Sequence, residues 1–401
     1  MTRRSTGPSG WPAVALLAAV MLVAAACGGG ERVDGDGAGP ARPPTADMPT
    51  LESVGEGEGA LNLIAWRGYV EESWTRPFER ETGCEVNARY AGSSDEMLSL
   101  MADGGGGRYD MVSASGDISL GLIYGGDVRP VNVDLIPDIE NFVPELQSPP
   151  HNTIDGVHYG VSLQWGPNVL LYNTEEFARA PTSWGVIYDP AHAGRITVPD
   201  NPIHIADAAL YLKATRPELG IEDPYELDRT QFRAAIDLLK QQRPLIAEYW
   251  RFASQEISMF RSGDAVVGAA WPYQTTALRL AGVPVAETIP AEGATGWADT
   301  WMLATDAPHQ NCAYHWLRWI STPKVQAQQA FSFGKTPANR DACAFMNRLS
   351  PGSCAAYHAD ARASYLASVW FWKTPMADCR DGKTCVPYSE WQQVWRTELA
   401  G

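Results

Sequence analysis

The sequence predicts an α/β fold with a largely parallel sheet, arranged as two lobes. Three observations carry this. Short apolar runs alternate with amphipathic stretches, the βαβ rhythm of such sheets. The 401 residues, 45% of them hydrophobic, are enough for a sizeable core and more than one compact unit. Beyond the N-terminal leader, no charge-free run approaches the ~20 residues of a membrane span.

The elements follow in order. Residues 61–65 are a strand candidate, and 71–81 read as a helix with Trp74 and Phe78 four apart, closed by Thr82-Gly83. Residues 84–90 form the next strand, 96–102 a helix ended by the glycine run 104–107, and 109–113 a strand entering a turn at Ser115-Gly116-Asp117. Further on, 160–163, 169–172, 195–198 and 265–270 are strands, the last delivering Trp271, while 205–214, 230–241 and 312–321 are helices.

Ahead of this body stands a leader. Arg3 and Arg4, an apolar stretch and Ala24-Ala25-Ala26-Cys27 read as an export signal over 1–26, and they resemble a bacterial lipoprotein signal that makes Cys27 the lipidated residue. Residues 27–60 are rich in Gly, Pro, Asp and Glu and are expected to be a disordered tether. Six cysteines remain: Cys84, Cys312, Cys343, Cys354, Cys379 and Cys385. In an exported chain an even number implies disulfides. Cys379 with Cys385 suggests a local loop, and Cys343 with Cys354 is the next nearest pair, but the spacing does not fix the connectivity. A zinc site is disfavoured by the lack of any CxxC or paired histidines.

With 31 Lys+Arg against 47 Asp+Glu, the chain is too acidic to be a general binder of nucleic acid or of an anionic membrane surface. No phosphate-binding loop, nucleophile elbow or H-E-x-x-H is present, and the seven histidines are scattered, so neither enzyme nor cofactor is expected.

From Trp66 the pattern becomes specific. WRGYVEESWTRPFERETGCEV, YAGSSDEML, YDMVSASGDISLGLIYGGDVRPVN, YGVSLQWGPNVLLYN, RSGDAVVGAAW, IPAEGATGWADTWML and KTPAN resemble the periplasmic spermidine- and putrescine-binding proteins of bacterial ABC importers, in order, over most of 61–345. The resemblance implies a type II-like periplasmic-binding-protein fold, with lobe 1 at 61–164 plus 298–345, lobe 2 at 165–297 plus 346–401, a hinge near Gln164-Trp165-Gly166, and a ligand cleft between the lobes. It implies a monomeric, lipid-anchored periplasmic receptor that passes a putrescine- or spermidine-like amine to an inner-membrane ABC permease.

The implied site is an aromatic and acidic box. Trp66, Tyr69, Trp271 and Trp297 offer rings to the methylenes and cationic ends of the ligand. Asp299 offers a carboxylate, and Ser115 with Asp117 polar groups at one end. The sequence departs from the family pattern where Asn201 and His204 stand at acidic positions, with Asp200 one place off, and where Lys335 stands near a usual tyrosine; Arg67 follows Trp66. These changes suggest a ligand with one cationic end and a neutral or anionic end facing Arg67, His204 or Lys335. The alternatives are a receptor for another zwitterionic or neutral solute, and a surface scaffold lipoprotein that binds nothing.

Overall fold

The computed structural model describes residues 42–361, 363–379 and 382–399. The export signal, Cys27 and the start of the tether lie outside the described residues.

The chain enters through β1 (Ala60–Trp66), α1 (Glu72–Thr82), β2 (Glu85–Ala91), α2 (Ser94–Met101), β3 (Met111–Ala114) and α3 (Gly116–Gly125). Helix α1 buries Trp74 and Phe78 and stops at Gly83, whose φ of 71° is the left-handed conformation glycine adopts without strain. Helix α2 starts earlier than its apolar pattern suggests, because the Ser93 hydroxyl accepts the Glu96 backbone N–H at 3.1 Å. A short helix, α4 (Pro144–Gln147), and a small hairpin, β4 (Thr153–Ile154) with β5 (Val157–His158), lead to β6 (Val161–Pro167).

Strand β6 runs directly into β7 (Val169–Asn173), which belongs to a second sheet. There follow β8 (Ile196–Pro199), α5 (Ile205–Thr215), α6 (Arg229–Gln242), β9 (Ile246–Trp250), α7 (Ala253–Ser262), β10 (Val267–Ala270), α8 (Pro272–Leu280) and β11 (Val285–Thr288). Along β7 every apolar residue is buried: Val169 and Leu171 face one cluster, Leu170 and Tyr172 another. Both faces of β7 are covered, which is why it reads as a continuous apolar run.

Strand β12 (Ala294–Leu303) then returns to the first sheet and pairs antiparallel with both β6 and β3. After α9 (Gln310–Ser321) and α10 (Pro323–Phe333), β13 (Thr336–Pro337) joins the edge of β6. The chain finishes with α11 (Ala342–Leu349), α12 (Ser353–Ala356), α13 (Ala363–Leu366), β14 (Val369–Phe371) and α14 (Tyr388–Val394). Among the described residues the sheets run β13-β6-β12-β3-β1-β2, with β14 also on β12, and β11-β7-β10-β8-β9. The sheets are therefore mixed rather than largely parallel, because the strands that cross between them run antiparallel to their neighbours.

Two boundary expectations need correcting. The tether does not extend to residue 60: Thr45 donates to Val128 O at 2.7 Å, Arg129 to Pro49 O at 2.6 Å and Asn132 to Leu51 O at 2.9 Å. Composition alone misses this because partners on the body supply the burial and hydrogen bonds that the segment lacks by itself. Residues 346–401 do not belong to the second lobe alone. Strand β14 extends the first sheet, while Trp391 packs on Phe232 of α6 at 5.7 Å and Lys373 pairs with Asp223 at 2.7 Å.

The cysteines pair as Cys84–Cys312, Cys343–Cys354 and Cys379–Cys385. No helix among the described residues is long and apolar enough to cross a membrane.

Candidate functional site

The strand crossing fixes the site. Trp297 and Asp299, two apart on β12, project from the same side of the strand. Trp297 sits opposite Gly166 on β6, where an added Cβ would lie 2.6 Å from the indole, so only glycine lets the ring lie over that strand. The β6–β12 register slips beside Asp299, a bulge at the point where the carboxylate leaves the sheet.

Around Asp299 the structure gathers three side chains. The hydroxyls of Tyr69 and Ser115 donate to its two oxygens, and the Lys335 ammonium lies 3.7 Å from it. The same Nζ sits 3.1 Å above the Tyr69 ring and 5.5 Å from that of Trp297. Tyr69 is brought there by a tight turn after β1, its N–H bonding to Trp66 O at 3.1 Å, and Ser115 stands at the start of α3. Lys335 is placed by the end of α10: Gly334, with φ of 63°, turns the chain into β13. Burial pushes the Asp299 carboxyl well above the usual carboxylate range and the Lys335 amine well below its own.

The second sheet closes the other wall. Trp271, at the end of β10, meets Trp297 edge-on at 6.2 Å and Trp250 at 4.8 Å. Tyr273 of α8 presses on Gly334, where an added Cβ would meet its ring at 2.5 Å.

Trp372, which the sequence did not single out, lies against backbone that flanks this site. Its N–H donates to Gly296 O at 2.6 Å, its carbonyl covers Gly116, and its ring meets His204 edge-on at 5.7 Å. It lies beyond the stretch that resembles the family. The only local signal was the aromatic run Trp370-Phe371-Trp372 ahead of Lys373.

Other expected residues have different company. Asp117 is buried beside α2 and the tail, accepting from Ser94 Oγ at 3.1 Å and Tyr388 OH at 3.4 Å. The Asn201 side chain caps a short turn by accepting from Ile203 N at 3.1 Å. His204 Nδ1 pairs with Asp207, which also accepts from Thr295. Asp200 is held by Arg251 at 2.7 Å and Trp395 Nε1 at 2.8 Å. Arg67 is exposed and lies over the Tyr90 ring at 5.2 Å.

Burial, partly offset by the Ser94 and Tyr388 hydrogen bonds, pushes the Asp117 carboxyl up to about 6. Since this lies above the unfolded value near 4, folding favours the protonated acid. That contribution is complete below about pH 4 and is lost as the pH rises through 6, about 3 kcal/mol in all. Asp117→Asn keeps the neutral form at every pH. Melting curves from pH 4 to 7 should show wild type losing stability relative to the variant by that amount, and parallel curves would contradict it.

Comparison with known proteins agrees with this architecture. The profile of the bacterial extracellular solute-binding protein family matches residues 73–348. A putrescine/agmatine-binding protein of Pseudomonas aeruginosa is 23% identical over 321 residues, 76% of this chain and 85% of the relative. A gamma-aminobutyric acid-binding protein of the same species is 25% identical over 283 residues, 68% and 74% of the two chains. Among solved structures, a putative spermidine/putrescine ABC transporter protein from Listeria monocytogenes superposes with a TM-score of 0.68 at 17% identity, covering 84% of this chain and 98% of that one. Such a likeness establishes the two-lobed α/β fold of periplasmic binding proteins. With its fold and most of its length accounted for in this way, the chain belongs to the bacterial extracellular solute-binding proteins, which serve ABC transporters and are not enzymes.

Proposed function

We propose that this receptor captures a small amine between lobe 1 (61–164 and 298–345) and lobe 2 (165–297). The C-terminal segment braces both. Trp66, Tyr69, Trp271, Trp297 and Trp372 form the walls and Asp299 the acidic floor. The lobes close on the solute, and an ABC permease reads the closed form; contacts made only on closure shift the population toward it. The protein works in the periplasm, tethered by a lipid on Cys27. The observation that supports this most is the burial of Trp297 and Asp299 beside Tyr69 and Trp271, where the strands cross between the sheets.

Aromatic rings with one carboxylate suit an alkyl amine: the rings take the methylenes and attract the cation, each contact worth roughly 0.5–2 kcal/mol. The relatives named above bind putrescine, agmatine or gamma-aminobutyric acid, which share an amine on a short chain. The scaffold reading draws on one observation, the seating of Lys335 on Asp299, and it predicts no binding at all.

Calorimetric titration of the purified protein with putrescine, spermidine, agmatine and 4-aminobutyrate separates the two. The receptor reading expects saturable binding of at least one of these at micromolar concentration. A folded protein silent to all four would overturn it.

A further inference from the structure

Lys335 changes what the cleft can take. Its ammonium lies 3.7 Å from Asp299 and 3.1 Å above the Tyr69 ring, a position that an amine of a bound solute would otherwise fill. The pair carries no net charge, whether both groups are ionised or the proton has passed from one to the other, so Asp299 offers an incoming dication no uncompensated charge. Three other carboxylates have partners of their own. Asp117 is engaged by Ser94 and Tyr388, Asp200 by Arg251 and Trp395, and Asp207 by His204 and Thr295.

The walls point the same way. The indole N–H groups of Trp66, Trp271, Trp297 and Trp372 are buried and have no hydrogen-bond partner among the described residues. An indole nitrogen only donates, and so does an ammonium. A polyamine therefore cannot satisfy these groups, whereas a carboxylate or hydroxyl can. Leaving such donors unmet in a water-excluded site carries a penalty that a matching acceptor removes.

We propose that Lys335 is a built-in ammonium that satisfies Asp299, and that the solute taken by this cleft is an amine that also carries a carboxylate or hydroxyl, not a di- or polycation. This rests on the amine-receptor reading above and narrows it.

A matched four-carbon series tests it: putrescine, 4-amino-1-butanol and 4-aminobutyrate, titrated calorimetrically into wild type, Lys335→Met and Lys335→Gln. Wild type should favour one of the two acceptor-bearing compounds over putrescine by at least about tenfold, the equivalent of about 1.4 kcal/mol. Lys335→Met, which leaves Asp299 to the solute, should strengthen putrescine binding by at least about tenfold and narrow or invert the ranking. Putrescine bound to wild type as tightly as the other two would overturn the proposal and leave the amine receptor standing. Silence of both wild type and the variants, with normal melting curves, would overturn the amine reading and this proposal with it. If Lys335→Met does not fold, Lys335→Gln and the wild-type ranking decide the matter.

Discussion

Asp299→Ala should lower the stability of the protein by about 3–5 kcal/mol. The substitution strands three groups at once. The Tyr69 and Ser115 hydroxyls lose their acceptor, and Lys335, only 8% exposed, loses its counter-ion. Removing one partner of a buried pair costs far more than the pair contributes, because the remaining charge must be buried alone or give up its proton. Combining Asp299→Ala with Lys335→Met should recover most of the stability. Urea unfolding of wild type, both single variants and the double variant measures this coupling. An Asp299→Ala protein within 1 kcal/mol of wild type would show that the carboxylate and the lysine do not depend on each other.

The second large effect concerns covalent closure. Cys84, just before β2, and Cys312 in α9 are joined across 228 residues, and Gly57 lies so close that an added Cβ would fall 2.4 Å from the Cys84 sulfur. A cross-link over so long a loop restricts the unfolded chain strongly, and replacing both cysteines by serine should cost about 5 kcal/mol on the chain-entropy account. Cys379–Cys385 closes a separation of only 6 residues, for which the same account gives about 2 kcal/mol. Denaturation midpoints of the two double-serine variants should fall in that order. Equal midpoints would mean that strain or residual structure in the unfolded chain outweighs loop length.

Much of this was legible in the sequence where local signals and global role coincide. Trp66, Tyr69, Trp271, Trp297 and Asp299 sit at or just past strand ends or on a crossing strand, and they occur in order within the resembling stretch; the structure brings Tyr69, Trp271, Trp297 and Asp299 together. Strand β12 was harder to see as a strand. Gly293 just before it and Gly296 within it interrupt the apolar pattern, yet Gly296 is what admits β14, since a Cβ there would meet Val369 at 2.5 Å.

Lys335 was legible as a residue but not in its role. Read in one dimension, it suggested a positive group facing the far end of a ligand; the turn at Gly334 brings it to Asp299 instead. Asn201 and His204 resembled replacements for ligand carboxylates, but their side chains go to a turn cap and to Asp207. Trp372 could not be anticipated, because its position depends on a long-range pairing of β14 that no local period encodes. The packed part of the tether was missed for the same reason: Thr45 bonds to a residue 83 positions away.

In the proposed receptor, tryptophans at the strand crossing wall a site for a small amine. Calorimetric titration of wild type and Trp297→Ala with the matched four-carbon amines tests it most directly. The predicted result is saturable micromolar binding by wild type, weakened at least about thirtyfold in Trp297→Ala, the loss expected when a buried aromatic anchor is truncated. A folded wild type that binds none of them, or a Trp297→Ala protein that binds as well as wild type, would contradict it.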